Sequence, residues 1–208
     1  MHRIALKMNY LWAICSTTLI FLPIKKEWKF KIDKKQQYIF CANHFSYLDI
    51  PAMGLTPVPF KFVGKSSLGK IPLFGFMYNR LHITVNRSSY RSRALSLQKA
   101  REELNHGFNL GFFPEGGIRL KEYPEMADFK DGAFKLSAEN NVPIIPVTLP
   151  DNFFILNDDD LLNIRRKKCR IIYHTPIWPD RDCDDAARKL KDDVFRVIQA
   201  ELIEVQSS

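Results

Sequence analysis

His44 precedes Asp49 by five positions in the stretch Asn43-His44-Phe45-Ser46-Tyr47-Leu48-Asp49-Ile50-Pro51. A carboxylate bonded to one imidazole nitrogen fixes the tautomer and leaves the other nitrogen to accept a proton. With an ordinary pKa of about 6.5, such a histidine suits a general base at neutral pH. In an unbroken helix, five positions turn two side chains roughly 140° apart, so a working pair needs a backbone break between them. The apolar run Tyr38–Ala42 reads as a strand, and Pro51 is tolerated only in the first turn of a helix. Strand, turn and helix are therefore expected, with His44 in the turn and Asp49 at the helix start. The alternative role for the pair is to staple that turn.

A second constellation is Gly111-Phe112-Phe113-Pro114-Glu115-Gly116-Gly117-Ile118-Arg119. Again an apolar strand ends in a sharp turn, now with an acid and a base. Ligands of open α/β sheets sit beyond the carboxyl ends of strands, so the two turns can share a crevice. Glu115 can accept a substrate hydroxyl, the glycines admit a close ligand, and Arg119 can bind an anion. A glycine turn with solvated charges is the competing reading. Gly64-Lys65-Ser66-Ser67-Leu68-Gly69-Lys70 has the G-x-x-x-x-G-K skeleton of a nucleotide-phosphate loop, but Ile71 stands where Ser or Thr would bind magnesium. Pro72 also removes an amide donor, so nucleotide hydrolysis is not expected, although Lys65 and Lys70 remain available to a phosphate or oxyanion. There is no G-x-S-x-G elbow, and Cys41 lies inside a predicted strand. A base without an enzyme nucleophile points to a hydroxyl supplied by the substrate, hence to direct transfer.

These residues need a scaffold, and 208 residues suffice for one domain with a sizeable core. Short apolar runs alternating with amphipathic segments predict an α/β domain. Strands are expected at 38–42, 61–63, 82–85, 110–113, 144–148 and 170–173. Helices are expected over 90–106, stopped by Gly107, after Asp131-Gly132, and along the stripe Ala187, Leu190, Val194, Ile198 and Leu202. Phe60, Phe62, Phe74 and Phe76 either line an apolar groove or pack in the core. Four scattered cysteines argue against zinc or a disulfide framework and favour a reducing compartment.

The net charge of +8 predicts an anionic partner. No RNA- or DNA-binding signature accompanies it, so nucleic acid is not expected. The apolar run from Tyr10 to Leu22 rises only about 20 Å as a helix, short of a bilayer core of about 30 Å. With Trp12, Trp28 and lysines at 25, 26, 29, 31, 34 and 35, residues 1–28 suit a helix in the membrane interface. A buried N-terminal helix followed by a solvated lysine loop is the other reading.

In order, these pieces resemble the glycerolipid acyltransferase family, especially bacterial 1-acylglycerol-3-phosphate acyltransferases. The N-H-x-S-x-x-D block matches Asn43, His44, Ser46 and Asp49; the second block resembles Leu81–Arg87; F-P-E-G is Phe113–Gly116; and V-P-I-I-P-V is Val142–Val147. Lys65 to Gly75 also resembles the family's K-x-x-L-x-x-I-P-x-F-G stretch. Where the family often has F-P-E-G-T-R, Gly117 replaces the threonine and the arginine comes one position later, at 119. The second block has His82 and Asn86 where glycine and an acid are common.

The resemblance implies a single domain over 29–208, with a mixed, largely parallel central sheet flanked by helices, after a membrane-associating segment 1–28. It implies that His44, oriented by Asp49, deprotonates a lysophospholipid hydroxyl, which attacks the thioester of acyl-CoA or acyl-carrier protein. It assigns Lys65 to the oxyanion, Arg87 and Arg119 to phosphate, and Glu115 and Gly116 to the acceptor site, with no metal or cofactor. 1-Acylglycerol-3-phosphate is the acceptor implied, a lyso-aminolipid the alternative, and a non-catalytic lipid-surface protein the rival of another class. The place implied is the cytoplasmic membrane, held peripherally or monotopically, with the site facing the cytoplasm.

Overall fold

The computed structural model describes residues 10–15, 17–18, 22–66, 74–86, 88–119, 122–156 and 164–207. The strands are β1 (Ile24–Trp28), β2 (Ile39–Ala42), β3 (Phe60–Lys65), β4 (Ile83–Val85), β5 (Asn109–Phe112), β6 (Ile144–Thr148) and β7 (Cys169–Tyr173). They form one sheet in the order β1-β7-β6-β2-β5-β3-β4. Among the described residues, all neighbouring strands pair in parallel except β6 and β7. The alternation of apolar runs predicts this α/β domain, and the family resemblance implies its mixed, largely parallel sheet.

Helices cover both faces: α1 (Asp49–Gly54), α2 (Phe74–Leu81), α3 (Tyr90–Asn105), α4 (Gly132–Asn140), α5 (Asn152–Ile155) and α6 (Ala186–Gln206). The two-residue period of β2 divides the core. Phe40 and Ala42 join one buried cluster with Ile50 and Met53 of α1, while Ile39 and Cys41 join another. That second cluster takes Ala100 and Leu104 of α3, Phe134 and Leu136 of α4, and Leu190, Val194, Ile198 and Leu202 of α6. Each fully buried Leu, Ile or Val contributes about 1.5–3 kcal/mol relative to exposure. The expected C-terminal stripe therefore acts as a packing face.

Gly107 ends α3 as expected. Its φ is 79°, its N–H donates to the Leu104 carbonyl at 2.9 Å, and Phe108 N–H donates to the Glu103 carbonyl at 3.0 Å. These two bonds close the α-helical C-terminus with a left-handed residue that glycine adopts without strain.

Two segments differ from expectation. Ile24–Trp28, placed by sequence within the N-terminal segment, is an edge strand paired in register with β7. Its lysines masked a strand pattern, although charged residues are common on sheet edges. Trp28 stacks on Tyr173 at 3.9 Å, so this tryptophan packs onto the sheet. The helix α2 lies where no helix was expected, although Phe74, Met77, Tyr78 and Leu81 fall on one helical face. Phe60 and Phe62 are core residues, whereas Phe76 is exposed with Arg80 over its ring at 4.5 Å; the Phe74 side chain lies outside the described residues. Residues 10–15 and 17–18 are helical and bury Ala13 and Thr17. Among the described residues, no helix is long and apolar enough to cross a membrane.

Candidate active site

The carboxyl ends of β5, β2 and β6 are adjacent and point the same way, because β2 pairs in parallel with both neighbours. Each strand delivers a polar turn to that edge. Asn43 closes β2 against the end of β6, donating to the Leu149 carbonyl at 3.1 Å and accepting from Leu149 N–H at 2.7 Å. This two-bond clamp stops the strand one residue before His44.

The chain then breaks as expected. His44 Nδ1 lies 3.0 Å from Asp49 Oδ2, and the same oxygen accepts from Phe45 N–H at 2.7 Å and Ser46 N–H at 2.9 Å. The five-residue spacing thus works because Asp49, at the start of α1, caps the turn that carries the histidine. A carboxylate facing Nδ1 assigns the proton to that nitrogen and the lone pair to Nε2. Asp49 and His44 are both buried, and the imidazole lies flat on Phe113 at 4.1 Å, which in turn stacks on Phe62 at 5.8 Å. The rings form an apolar wall that fixes the plane of the imidazole.

Ser46 does not act as a nucleophile in this geometry. Its hydroxyl donates to the Leu156 carbonyl at 2.6 Å and accepts from Leu48 N–H at 3.1 Å. Cys41 is buried in β2, and burial pushes its thiol above the ordinary range, as its position in a strand predicts.

Glu115 joins the second constellation to the first. Its Oε1 accepts from His44 N–H at 2.7 Å and its Oε2 from Ala127 N–H at 3.3 Å. Burial pushes its pKa from 4.5 to about 8; the two backbone donors pull it down, and the Asp49 charge adds to the rise. At neutral pH its carboxyl is therefore largely protonated. On its other side, Glu115 lines a cavity of about 300 Å³ with Arg119, Glu125, Met126, Ala127, Asp128 and Lys130. Gly116 and Gly117, with φ of 80° and 150°, turn the chain there. A Cβ on Gly116 would lie 3.7 Å from Lys130 Cγ, so its backbone conformation, more than space, calls for glycine.

The structure brings His44, Asp49 and Glu115 into one hydrogen-bonded group, with Gly116 and Arg119 beside the adjoining cavity. Lys65 ends β3 opposite Val85 of β4 at the same edge of the sheet. Its side chain lies outside the described residues, and so does Arg87. Asn152 is a site residue the sequence reading missed. It is buried, donates its amide to Asp49 Oδ1 at 2.8 Å, and accepts from the Cys169 thiol at 3.0 Å. Its neighbour Asp151 anchors it through Arg170, with Nε and Nη2 contacts of 2.7 and 2.8 Å. Burial pushes the Asp151 carboxyl up, but the bonds to Arg170 and the charges of Arg170 and Lys167 hold it below the ordinary range. The available signal was position: Asp151-Asn152 follows β6 at the edge where the other polar turns lie.

Among the described residues, the largely parallel α/β sheet carries a buried histidine–aspartate pair at its strand ends, beside a Ser46 hydroxyl bonded to backbone and a buried Cys41. The model of the Acyltransferase family matches residues 23–150, and the chain belongs to that family. It is 35% identical over 188 residues to a 1-acyl-sn-glycerol-3-phosphate acyltransferase of Chlamydomonas reinhardtii, covering 88% of this chain and 55% of the relative. It is 30% identical over 138 residues to the lyso-ornithine lipid O-acyltransferase of Pseudomonas aeruginosa, covering 62% of this chain and 52% of the relative. The chain spans about half the length of the curated relatives it matches first. The crystal structure of the 1-acyl-sn-glycerophosphate acyltransferase PlsC from Thermotoga maritima superposes with a TM-score of 0.82 at 22% identity, covering 100% of this chain and 82% of that one. That likeness shows the fold.

Proposed function

We propose that the protein transfers an acyl chain from a thioester donor, acyl-CoA or acyl-carrier protein, to the free hydroxyl of a lysophospholipid, with 1-acylglycerol-3-phosphate as acceptor and phosphatidic acid as product. The observation that carries this reading is the His44–Asp49 pair at 3.0 Å, buried at the strand ends, with no free serine or cysteine beside it among the described residues. Nε2 of His44 takes the acceptor proton as the hydroxyl oxygen attacks the thioester carbonyl. The tetrahedral oxyanion collapses, the carbon–sulfur bond breaks, and the departing thiolate takes the proton back from His44. Lys65 stabilises the oxyanion, a role that suits its place at the end of β3. Arg119 and Arg87 hold the acceptor phosphate, and Glu115 with Gly116 shapes the acceptor cavity.

A second acceptor class, a lysolipid whose headgroup carries an amine, is favoured by one observation: Glu125 and Asp128 line the same cavity as Arg119 and Lys130. A mass-resolved assay of acyl transfer from both donors to a panel of lysolipids decides between them. His44→Ala is expected to abolish transfer while membrane binding persists. Native activity in that variant refutes the base, and vesicle binding without acylation of any acceptor favours a binding protein.

A further inference from the structure

The turn that carries Glu115 is clasped by the segment that follows Tyr123. Ala127 N–H reaches Glu115 Oε2 at 3.3 Å, and Lys130 N–H donates to the Pro114 carbonyl at 2.8 Å. The segment is also tied to α6: Gln199 accepts from Met126 N–H at 3.1 Å and donates to the Pro124 carbonyl at 3.0 Å. Phe129 is buried against Phe134 and Phe195, with ring centroids 6.1 and 5.0 Å apart. Asp131 pairs with Lys191 at 2.7 Å. Both chain neighbours of Lys130 are thus anchored, while Lys130 itself stays exposed.

The Lys130 side chain runs along the F-P-E-G turn. A Cβ placed on Gly116 would meet its Cγ at 3.7 Å and its Cε at 4.0 Å, so the stem passes Gly116, and the residue lines one cavity with Glu115 and Arg119. A lysine whose stem rests on backbone loses less freedom when its head engages a ligand. Among the described residues, neither Lys130 nor Arg119 closes an ion pair, although Glu125 and Asp128 line the same cavity. Asp128 stands on the wall to a second cavity of about 420 Å³, which Arg188 and Asp192 also line. Glu115 does not compete for the two cations. Burial keeps it largely protonated, and its two oxygens face backbone N–H groups.

We propose that Lys130 is a specificity-determining residue for the acceptor, its ammonium holding the acceptor's phosphate together with Arg119. In a 1-acylglycerol-3-phosphate the phosphate lies only a few bonds from the hydroxyl that His44 deprotonates. Glu115 bonds to the His44 backbone and leads directly into Gly116, so an acceptor with its hydroxyl at His44 brings its phosphate to the Lys130 side of the turn. Charged hydrogen bonds to phosphate are roughly twice as strong as neutral ones, and lysine supplies them as a point charge. A ligand with several phosphates, such as the donor coenzyme, would also meet the carboxylates of Glu125 and Asp128. The inference rests on the lysolipid reading and adds to it the group that tells a phosphate acceptor from a neutral one.

The full chain is assayed with acyl-CoA and a short-chain 1-acylglycerol-3-phosphate dispersed as monomers. Lys130→Gln is expected to raise the acceptor KM about tenfold while kcat and the acyl-CoA KM hold. Lys130→Arg is expected to restore the acceptor KM to within about threefold of native. Lys99→Gln, which removes an exposed cation of α3 outside the cavity, stays within about twofold. A native acceptor KM in Lys130→Gln overturns the proposal. So does a rise in the acyl-CoA KM alone, which assigns the ammonium to the donor. Titration calorimetry without donor compares the same acceptor with the 1-acylglycerol that lacks the phosphate. The native chain is expected to prefer the phosphate form about tenfold, and Lys130→Gln to bind both alike. If that preference holds although the native chain transfers no acyl group, the transfer reading fails and the phosphate subsite stands.

Discussion

Replacing Glu115 by glutamine tests the electrostatics of the buried group that supports His44. Burial and Asp49 raise the Glu115 pKa to about 8, so folding withholds charge from a carboxyl that ionises in the unfolded chain from about 4.5 upward. Because the folded value is the higher one, this group's stabilisation is fully present below 4.5 and is lost as pH rises through about 8. The ceiling of that loss is about 5 kcal/mol, at roughly 1.4 kcal/mol per pH unit. Water drawn into the adjoining cavity lowers it, and a swing of about 2 kcal/mol is expected. Glutamine mimics the protonated acid: its carbonyl accepts from His44 N–H, and its NH₂ replaces Oε2, which now accepts from Ala127 N–H at 3.3 Å. The lost acceptor costs about 1 kcal/mol. Urea unfolding followed by tryptophan fluorescence should therefore find Glu115→Gln slightly less stable than native near pH 5 and more stable near pH 9. Parallel pH profiles for the two proteins would refute a protonated, buried Glu115.

Asn152→Leu removes the donor to Asp49 Oδ1 at nearly constant volume; kcat is expected to fall about tenfold with KM unchanged, and the imidazole ¹⁵N shifts of His44 should move toward mixed tautomers. A change in KM alone would contradict a positioning role. At Gly64, an added Cβ would lie 2.1 Å from the Tyr78 hydroxyl oxygen. Gly64→Ala should thus destabilise the fold by about 2–3 kcal/mol, and adding Tyr78→Phe should restore part of that in thermal unfolding. No recovery in the double variant would show that the strain lies elsewhere.

What the sequence disclosed followed from periodicity and punctuation. Ile144–Thr148 was legible because a short apolar run between turn residues has few alternatives, and α3 because Gly107 marked its end. The break between His44 and Asp49 was legible because helix geometry forbids their cooperation otherwise. The strand Ile24–Trp28 was not, since its partner β7 lies more than 140 residues later and supplies the burial its own lysines conceal. Asn152 was equally hidden, because an asparagine that ligates a carboxylate 103 positions away leaves no local pattern. Glu115 was visible as a site residue. Its bond to the His44 backbone, by contrast, depends on the β2–β5 pairing, which no single segment encodes.

The turn from Asn43 to Asp49 is tethered from three directions: to Leu149 beyond β6, to Glu115 beyond β5, and to Asn152 in α5. It therefore cannot breathe as a separate loop. Its amide hydrogens should exchange with solvent only when the central sheet itself opens, at the slow rate of the core rather than the fast rate of surface turns. The same tethering governs transplantation: a His–Asp turn moved alone into a foreign α/β sheet would arrive without the three anchors that hold its shape.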